Sequence, residues 1–512
     1  MGLPPLLRIR WKPDPCAGCI SVSARHTPSE LADKLKPEDG GFRHWDADEC
    51  IAKLLKRGVL SAGSIIDDED SSTVKYDKYQ FRWVGLAVYQ DLVIVVYPKY
   101  FRGKDLPTLP QMARILRVIR KAEPKGAQIG MLADDNDRAR DPLALLTALF
   151  DMYAEYGEYT NYERTIESNG TGSISWERTI EQCQPFLGDD GPIYFDLKTI
   201  ETNRNDSDYV TRLHRALLTT YSQELRESGL AGLLSITPVE LSDEELDDFG
   251  DPDIIDYRLE RELNVQFITW KRDLISLLRS IVMDRESGHD WNNVACLGTA
   301  SYQHVWELMC KTAFGDQLGI SIDRLGMRLT DAWAKRGKET LLDIIPCPQW
   351  YSTEENSSET VCGPVKTLIP DVVSVLKHDD DLCLCIYDAK YYTPTLGKKV
   401  TGAPGVESIT KQLLYQEAYK SFVKDQGVSR VLNTFFVPTS RQGGPYHLGK
   451  VDFLGIFPCQ DAPFTNNIDV WALDADALGE LYLDNEQVGS AVVDAIISKS
   501  APVVFAQAQT LF

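Results

Sequence analysis

Two short apolar segments on either side of a charged run constrain the fold of this chain more than any other feature. DVVSVL occupies residues 371–376, LCLCIYDAK occupies residues 382–390, and KHDDD lies between them. Apolar runs joined by a short polar connection indicate a β-hairpin. Strands disfavour Asp and Lys, yet Asp371 begins the first segment, and Asp388 and Lys390 end the second. These charges either lie on a solvated face or belong to a functional site.

Antiparallel pairing brings the three charges to one end of the hairpin. With KHDDD as the turn, Leu376 lies opposite Leu382. Asp371 then lies opposite Asp388 or the residue before it, within a shift of about one residue. Because side chains alternate along a strand, Asp388 and Lys390 share a face. The pattern predicts two carboxylates and one ammonium at the same place.

Such a group of charges suits metal-assisted hydrolysis of a phosphodiester. Two adjacent carboxylates repel each other unless a cation or a proton intervenes, and Mg²⁺ commonly takes one or two carboxylates together with waters and substrate phosphate. A neighbouring lysine can orient or help deprotonate a metal-bound water and offset charge on the pentavalent phosphate. The alternative is an ordinary strand end, with the Pro-Asp pair only starting a turn.

The order of these motifs resembles the core of PD-(D/E)XK nucleases. A Pro-Asp pair ending at Asp371 precedes the hairpin, Asp-Ala-Lys ends it, and a helix carrying Gln412 follows. The resemblance implies that Asp371, Asp388 and the backbone carbonyl of Ala389 bind Mg²⁺, with Mn²⁺ as a substitute. It also implies that Lys390 acts with both aspartates in catalysis. The third core strand of that fold is not assigned from the sequence.

Two further side chains are catalytic candidates by the same resemblance. Glu307 lies in the helical segment SYQHVWELMCKTAFG, where many nucleases of this fold carry a metal-facing Glu; the alternative is a surface carboxylate in water. Gln412 would lie near Lys390 and contact the water or a phosphate. Gln416 lies one helical turn further along the same face, and either residue is alternatively an ordinary surface glutamine.

Segments outside the hairpin narrow the resemblance. GSISWERTI, PIYFDLKTI, YQHVWELMC and KQLLYQEAY are similar to the LlaJI family of restriction endonuclease subunits, related to McrC, over most of the chain from about residue 79. The family implies a Mg²⁺-dependent endonuclease subunit of a McrBC-like restriction system, with a McrB-like AAA+ GTPase as partner and double-stranded DNA as substrate. The alternative is a non-catalytic adaptor that keeps the nuclease fold and activates or tethers the AAA+ partner. The three intact charged residues of the hairpin favour the enzyme.

Charge and composition fit a subunit that shares its DNA contacts. The formal net charge is −22, which argues against a free-standing nucleic-acid binder. Residues 361–458 escape this acidity, with 11 Lys and Arg against 9 Asp and Glu. The chain has no G-x-x-x-x-G-K-[ST] loop. No signal peptide or membrane span is evident and the 11 cysteines look reduced, so we expect a cytoplasmic protein without membrane contact.

The chain is predicted to have an α+β fold in three regions. Residues 1–150 form a β-rich N-terminal domain for partner or DNA contact, residues 151–285 a hairpin plus helical middle region, and residues 286–512 the PD-(D/E)XK nuclease domain. The middle hairpin is expected to join the two copies of ERTIE, at 163–167 and 177–181, through Asn-Gly.

The N-terminal region carries its own candidate features. The apolar runs of residues 79–101 predict another hairpin, with Tyr-Gln-Asp at its turn. The patch YPKYFRGK, residues 97–104, could read DNA, dock the partner or simply be a solvated strand end. The same three possibilities hold for RIRWK, residues 8–12.

Overall fold

The structure is a computed structural model, and the residues it describes are the following: 19–22, 25–35, 46–66, 75–89, 92–102, 105–122, 141–188, 191–286, 294–352, 360–362, 367–453 and 463–498. RIRWK lies outside these residues.

The strands are numbered in chain order. They are β1 (Cys19–Ser21), β2 (Arg25–His26), β3 (Leu60–Ile66), β4 (Lys75–Phe81), β5 (Val84–Tyr89), β6 (Leu92–Tyr97), β7 (Tyr162–Ser168), β8 (Ser173–Ile174), β9 (Phe186–Gly188), β10 (Gly191–Ile193), β11 (Lys198–Arg204), β12 (Ala295–Thr299), β13 (Trp350–Ser352), β14 (Thr360–Cys362), β15 (Val372–His378), β16 (Asp381–Ala389), β17 (Arg430–Thr439), β18 (Tyr446–Asp452) and β19 (Asn467–Asp474).

The helices are numbered in the same way. They are α1 (Pro28–Lys34), α2 (Ala47–Lys56), α3 (Leu109–Ala122), α4 (Pro142–Tyr156), α5 (Trp176–Gln182), α6 (Tyr209–Ser228), α7 (Ala231–Leu234), α8 (Pro252–Val265), α9 (Thr269–Glu286), α10 (Tyr302–Ala313), α11 (Asp331–Ala334), α12 (Val406–Ala418), α13 (Lys420–Asp425), α14 (Ala475–Asp484) and α15 (Ser490–Ser498). Short 3₁₀ turns occur at Leu246–Phe249 and Ile322–Arg324. The mixture of helices and strands agrees with the predicted α+β class.

The chain forms two compact units. The described part of the first lies within residues 88–92 and 124–296, and that of the second lies within 14–87, 93–123 and 297–512. The second unit therefore combines most of the N-terminal region with nearly all of the predicted nuclease region. The three-region division at residues 150 and 285 stays a prediction.

A five-stranded sheet in the second unit carries the motifs singled out from the sequence. Its strand order is β15-β16-β17-β19-β18. β15 is antiparallel to β16, whereas β16, β17 and β19 run parallel, and β18 is antiparallel to β19. β17 follows α12 in the chain and pairs directly with β16. The carboxyl ends of the three parallel strands meet at one edge.

Both faces of the predicted hairpin are buried. On one face, Val373 and Ile386 pack in a core cluster with Tyr415 of α12 and Phe422 of α13. On the other face, the ring of Tyr387 lies 5.4 Å from that of Phe314, which follows α10. Burying each large apolar side chain contributes about 1.5–3 kcal/mol. Helices on both faces therefore hold the hairpin in place.

The hairpin register differs by one residue from the predicted one. Leu376 pairs with Cys383 and not with Leu382. The turn comprises only residues 379–380, because both strands extend into the charged run. Asp379 makes this turn possible by adopting the left-handed conformation, with φ of 54°, which Asp tolerates better than most residues.

The two copies of ERTIE fold differently, so the hairpin predicted between them is wrong. Residues 163–167 belong to β7, which pairs antiparallel with β11, whereas residues 177–181 lie in α5. Thr179 of the second copy is buried, and its hydroxyl accepts a hydrogen bond of 2.9 Å from the amide of Lys198 at the start of β11. Tertiary partners, not the five residues themselves, decide each conformation.

The two strands predicted within residues 79–101 are present, whereas residues 90 and 91 of the predicted turn lie outside the described residues. β5 and β6 are neighbours in one sheet, as the hairpin prediction for residues 79–101 requires. Within the described part of the chain, no helix is both long and apolar enough to cross a membrane.

Candidate active site

The one-residue register shift places the two predicted carboxylates directly opposite each other. Val372 pairs with Tyr387, so the next position along each strand brings Asp371 level with Asp388. Facing residues in an antiparallel pair have Cβ atoms about 5 Å apart. The end of the hairpin therefore holds both carboxylates on the face that α12 covers.

Hydrogen bonds fix both carboxylates. The Asp371 carboxylate accepts a hydrogen bond of 2.8 Å from the amide of Ala389. Asp388 is only 4% exposed, and its Oδ2 lies 2.8 Å from Nζ of Lys390. The three charges predicted to converge from the sequence do converge in the structure.

The site concentrates negative charge where water is scarce. Burial raises the pKa of Asp371 well above its ordinary value, and the hydrogen bond to Asp388 and the charges of Asp388 and Glu307 act in the same direction. The Ala389 amide opposes this shift. Adjacent carboxylates behave in this way when no cation compensates them. The pair is therefore suited to take up a proton or a metal ion.

Helix α10 brings Glu307 within electrostatic range of the pair, since its charge is among those that act on Asp371. The helix is anchored by the indole Nε1 of Trp306, which donates a hydrogen bond of 3.2 Å to the carbonyl of Phe436 in β17. The Glu307 side chain is 31% exposed. It is therefore partly buried near the site.

Gln412 and Gln416 are both buried, so the surface alternative is wrong for both. The Gln412 amide donates a hydrogen bond of 3.0 Å to the carbonyl of Ile386, two residues before Asp388. Its Oε1 is buried and has no hydrogen-bond partner within the described residues. Gln416 donates to and accepts from the backbone of Thr465, at 2.9 and 3.2 Å. Gln412 thus braces β16, and Gln416 holds the segment before β19.

The donor set fits Mg²⁺ better than a metal that needs many protein ligands. In the part of the chain that the structure describes, no group of three or more His, Cys, Asp or Glu side chains is arranged to hold a metal. Two carboxylates suffice for Mg²⁺, which keeps several waters. Asp371 and Asp388, with the carbonyl of Ala389 beside them, are the residues that would hold it.

Two neighbours of the pair were missed in the sequence. Tyr415 lies on α12, and burial followed by the charges of Asp388 and Asp371 raises its pKa. Lys411 lies on the same helix, and its pKa is raised mainly by Glu407 and also by Asp388. Tyr415 is three positions after Gln412, and that helical spacing was the signal available.

Comparisons with known proteins agree with the motifs. The sequence profile of the family described as LlaJI restriction endonuclease matches residues 83–326 and 337–476. The curated protein "Type II restriction enzyme BsuMI component YdjA" of Bacillus subtilis (strain 168) is 24% identical over 454 residues, which cover 85% of each chain.

Two solved structures are similar at low TM-scores. A chain in the refined half-complex from the tetradecameric assembly of Thermococcus gammatolerans McrB AAA+ hexamers with bound McrC gives a TM-score of 0.33 and 12% identity, covering 91% of this chain and 98% of that chain. The cryo-EM structure of the Thermococcus gammatolerans McrBC complex gives 0.21 and 14%, covering 51% and 78%. TM-scores this low do not establish a shared overall fold.

Proposed function

The chain belongs to the LlaJI restriction endonuclease family, as its motifs predicted, and we propose that it is the Mg²⁺-dependent DNA endonuclease subunit of a two-component restriction system. One observation carries the proposal: Asp371 and Asp388 face each other at the end of a hairpin, with Lys390 at 2.8 Å from Asp388. The antiparallel hairpin followed by the parallel strand β17 supports a PD-(D/E)XK core.

Each residue of the site has a distinct chemical role in this proposal. Asp371, Asp388 and the Ala389 carbonyl would hold Mg²⁺, which supplies a Lewis acid and acidifies water. The Lys390 ammonium stabilises negative charge that develops on the phosphate. Glu307 adds a third carboxylate near the pair. Gln412 fixes β16, the strand that carries Asp388. Mn²⁺ would substitute, because it takes the same oxygen ligands.

We infer that the partner is a McrB-like AAA+ GTPase. The chain lacks a nucleotide-binding loop of its own, and its net charge of −22 leaves it poorly suited to hold DNA alone. A partner that binds nucleotide and DNA would supply both. This part of the proposal also follows the resemblance to McrC that the motifs carry.

One segment of the first unit offers a surface for such a partner. Within residues 162–195, an unusual number of large apolar side chains are exposed, and we call them the apolar surface: Tyr162, Ile166, Ile174, Trp176, Ile180, Phe186, Leu187, Ile193 and Phe195. The rings of Phe186 and Phe195 lie 6.0 Å apart. Exposed apolar groups in such number mark an interaction site. We therefore propose that the AAA+ partner binds the apolar surface.

A cleavage assay separates the enzyme from the non-catalytic adaptor. Plasmid DNA is incubated with the chain, the AAA+ protein, GTP and Mg²⁺, and each component is omitted in turn. The proposal predicts cleavage that requires this chain and is abolished by EDTA. If the complex assembles but cuts no DNA in Mg²⁺ or Mn²⁺, the chain is the adaptor.

A further inference from the structure

The segment PKYFR, residues 98–102, belongs to the N-terminal region but lies beside the catalytic strand, and we call it the basic strap. The amide of Lys99 donates a hydrogen bond of 3.1 Å to the hydroxyl of Tyr391, although the two residues are 292 positions apart. Tyr391 directly follows Lys390, whose amide is itself fixed by a hydrogen bond of 2.8 Å to Phe436. The basic strap is therefore held in register with the end of β16.

The Lys99 ammonium lies over aromatic rings and not against a carboxylate. Its Nζ is 4.2 Å from the ring centre of Tyr391 and 5.4 Å from that of Tyr392. Such cation–π contacts hold an ammonium without neutralising it. Burial of the side chain lowers the pKa of Lys99, which indicates a charge partly removed from water.

The second cation of the basic strap is also held by neutral groups. The Arg102 guanidinium donates one hydrogen bond to the carbonyl of Thr393 and another of 3.4 Å to the hydroxyl of Thr395. A Cβ atom at Gly402 would lie 2.7 Å from the Thr393 carbonyl, so the backbone packs closely here. The basic strap and the segment after β16 form one built surface.

Carboxylates occur near this surface, since the amide of Asp105 donates a hydrogen bond of 3.1 Å to the carbonyl of Arg102, but no described carboxylate pairs with either of its two cations. Two lysines of the second unit illustrate the ion-paired case: Lys338 lies 2.8 Å from Asp323, and Lys420 lies 2.9 Å from Glu417. Lys99 and Arg102 form no ion pair with any described residue. In a chain of net charge −22, two uncompensated cations beside a nuclease centre indicate a site for an anion.

We propose that Lys99 and Arg102 bind backbone phosphates of the DNA strand next to the scissile phosphate. The proposal rests on the nuclease function inferred above and identifies a binding site for its substrate outside the hairpin. Lys390 faces the phosphate that is cut, and the basic strap positions the neighbouring ones. Of the three possibilities for the patch YPKYFRGK, this selects DNA contact.

The test measures how DNA affinity depends on salt. Each phosphate that a cation neutralises contributes about −0.9 to the slope of log K against log salt. A labelled duplex is titrated with the full-length chain between about 0.02 and 0.1 M salt, because binding at physiological salt is expected to be weak for this acidic chain. Lys99→Met and Arg102→Met should each make the slope about one unit less negative, and the double variant about two units.

Matched variants separate loss of charge from loss of folding. Lys99→Arg should keep the wild-type slope, because it keeps the cation over the two tyrosines. Lys338→Met removes the same charge from a paired surface lysine and should leave the slope unchanged. The melting temperature of every variant is measured. The slopes are compared only among variants whose melting temperature equals that of the wild type. If Lys99→Met has a lower melting temperature than the wild type, the proposal is decided by comparing the slopes of Arg102→Met and Lys338→Met.

The outcomes distinguish this proposal from the nuclease assignment. The proposal that the basic strap binds DNA would be overturned by unchanged slopes in Lys99→Met and Arg102→Met. It would also be overturned if the wild-type chain bound no DNA at any of these salt concentrations. Because binding is measured without cleavage, a chain that fails to cut DNA leaves this readout intact. Wild-type cleavage with an unaltered slope in both variants would refute the strap alone.

Discussion

Folded proteins usually expose charged side chains and bury large apolar ones. The end of the β15–β16 hairpin and the apolar surface depart from this rule in opposite ways. At the hairpin end, Asp388 is 4% exposed, and the carboxylate of Asp371 lies opposite it. On the apolar surface, Leu187 is 81% and Phe195 is 73% exposed. Charged side chains are rarely buried, and large apolar ones are rarely exposed in such number.

In each region the exception indicates what binds there: a positively charged ligand at the buried carboxylates and an apolar protein surface at the exposed rings. Buried carboxylates call for a cation or a proton, because either one removes their mutual repulsion. Exposed aromatic rings call for another protein surface, because water is a poor neighbour for them. Natural chains break local rules mainly where function requires it. The four predictions below would break or sharpen this contrast.

Asp388→Asn should give the largest effect, with cleavage falling below detection. The change removes a carboxylate that would hold the metal but keeps the shape of the side chain. Cleavage of plasmid DNA in Mg²⁺ with the AAA+ partner measures it. Asp474→Asn is the matched control, because Asp474 is also buried at the end of a parallel strand but caps α14. Loss of cleavage in both variants would mean that any buried aspartate of this sheet is needed for folding.

Lys390→Ala should reduce the rate by about 10²–10³, the usual loss for one electrostatic group. It removes a cation, so the affinity for metal should fall little. Asp371→Ala removes a ligand and should weaken Mg²⁺ binding. A titration of Mg²⁺ against cleavage rate should therefore partly rescue Asp371→Ala and leave Lys390→Ala slow. Equal rescue of both would show that Lys390 is only a strand-end charge.

Replacing both Phe186 and Phe195 with Ser should weaken binding of the AAA+ partner at least about tenfold. Because both rings are exposed, the free energy of unfolding should change by no more than about 0.5 kcal/mol per site. Phe267→Ser is the control, since Phe267 is 89% exposed but lies outside the apolar surface. Titration of labelled partner measures the affinity. An equal loss in Phe267→Ser would show that exposure alone, and not this surface, matters.

Acid should lower the folding stability of the region that carries the apolar surface. The Nδ1 of His214 in α6 accepts a hydrogen bond of 3.1 Å from the amide of Tyr159, just before β7. Burial lowers the pKa of His214 to about 4. The unfolded chain binds this proton from about pH 6.5 downward, whereas the folded chain resists it until about pH 4. Stability is therefore present above pH 6.5 and is lost as the pH falls, by about 3 kcal/mol in total.

The matched variant for this pH dependence is His214→Asn, which retains an acceptor but does not titrate. Denaturant unfolding at several pH values between 7 and 4 gives the difference between the variant and the wild type. The wild type should lose about 3 kcal/mol more than the variant across this range. Parallel curves would show that His214 is not the group that titrates.

The β15–β16 hairpin could be predicted because its signals are local. Alternation along the strand placed Asp388 and Lys390 on one face, and pairing brought Asp371 to them. The observed register lies one residue from the central prediction and within the shift that was allowed. The difference arises because the turn length depends on the conformation of Asp379, which the sequence of three aspartates does not determine. Periodicity also predicted α10 correctly, whereas the parallel pairing of β16 with β17 joins segments that a helix separates.

The contacts that could not be predicted join distant parts of the chain. Nothing in YPKYFRGK indicates that Lys99 meets Tyr391, because long-range packing and not local pattern decides that contact. The same is true of ERTIE. Its second copy is helical and is held in place by the hydrogen bond between Thr179 and the amide of Lys198 at the start of β11. Gln412 was a candidate by resemblance, but the burial that makes it a brace for Ile386 depends on the sheet beneath it.

The central claim is that Asp371 and Asp388 form a metal site, and metal binding tests it most directly. Mn²⁺ takes the same oxygen ligands as Mg²⁺, so titration of the wild-type chain and of its Asp388→Asn variant can be followed by electron paramagnetic resonance. The account predicts a Mn²⁺ site in the wild type that is lost in Asp388→Asn and retained in Asp474→Asn. Equal binding of Mn²⁺ by the wild type and Asp388→Asn would contradict it.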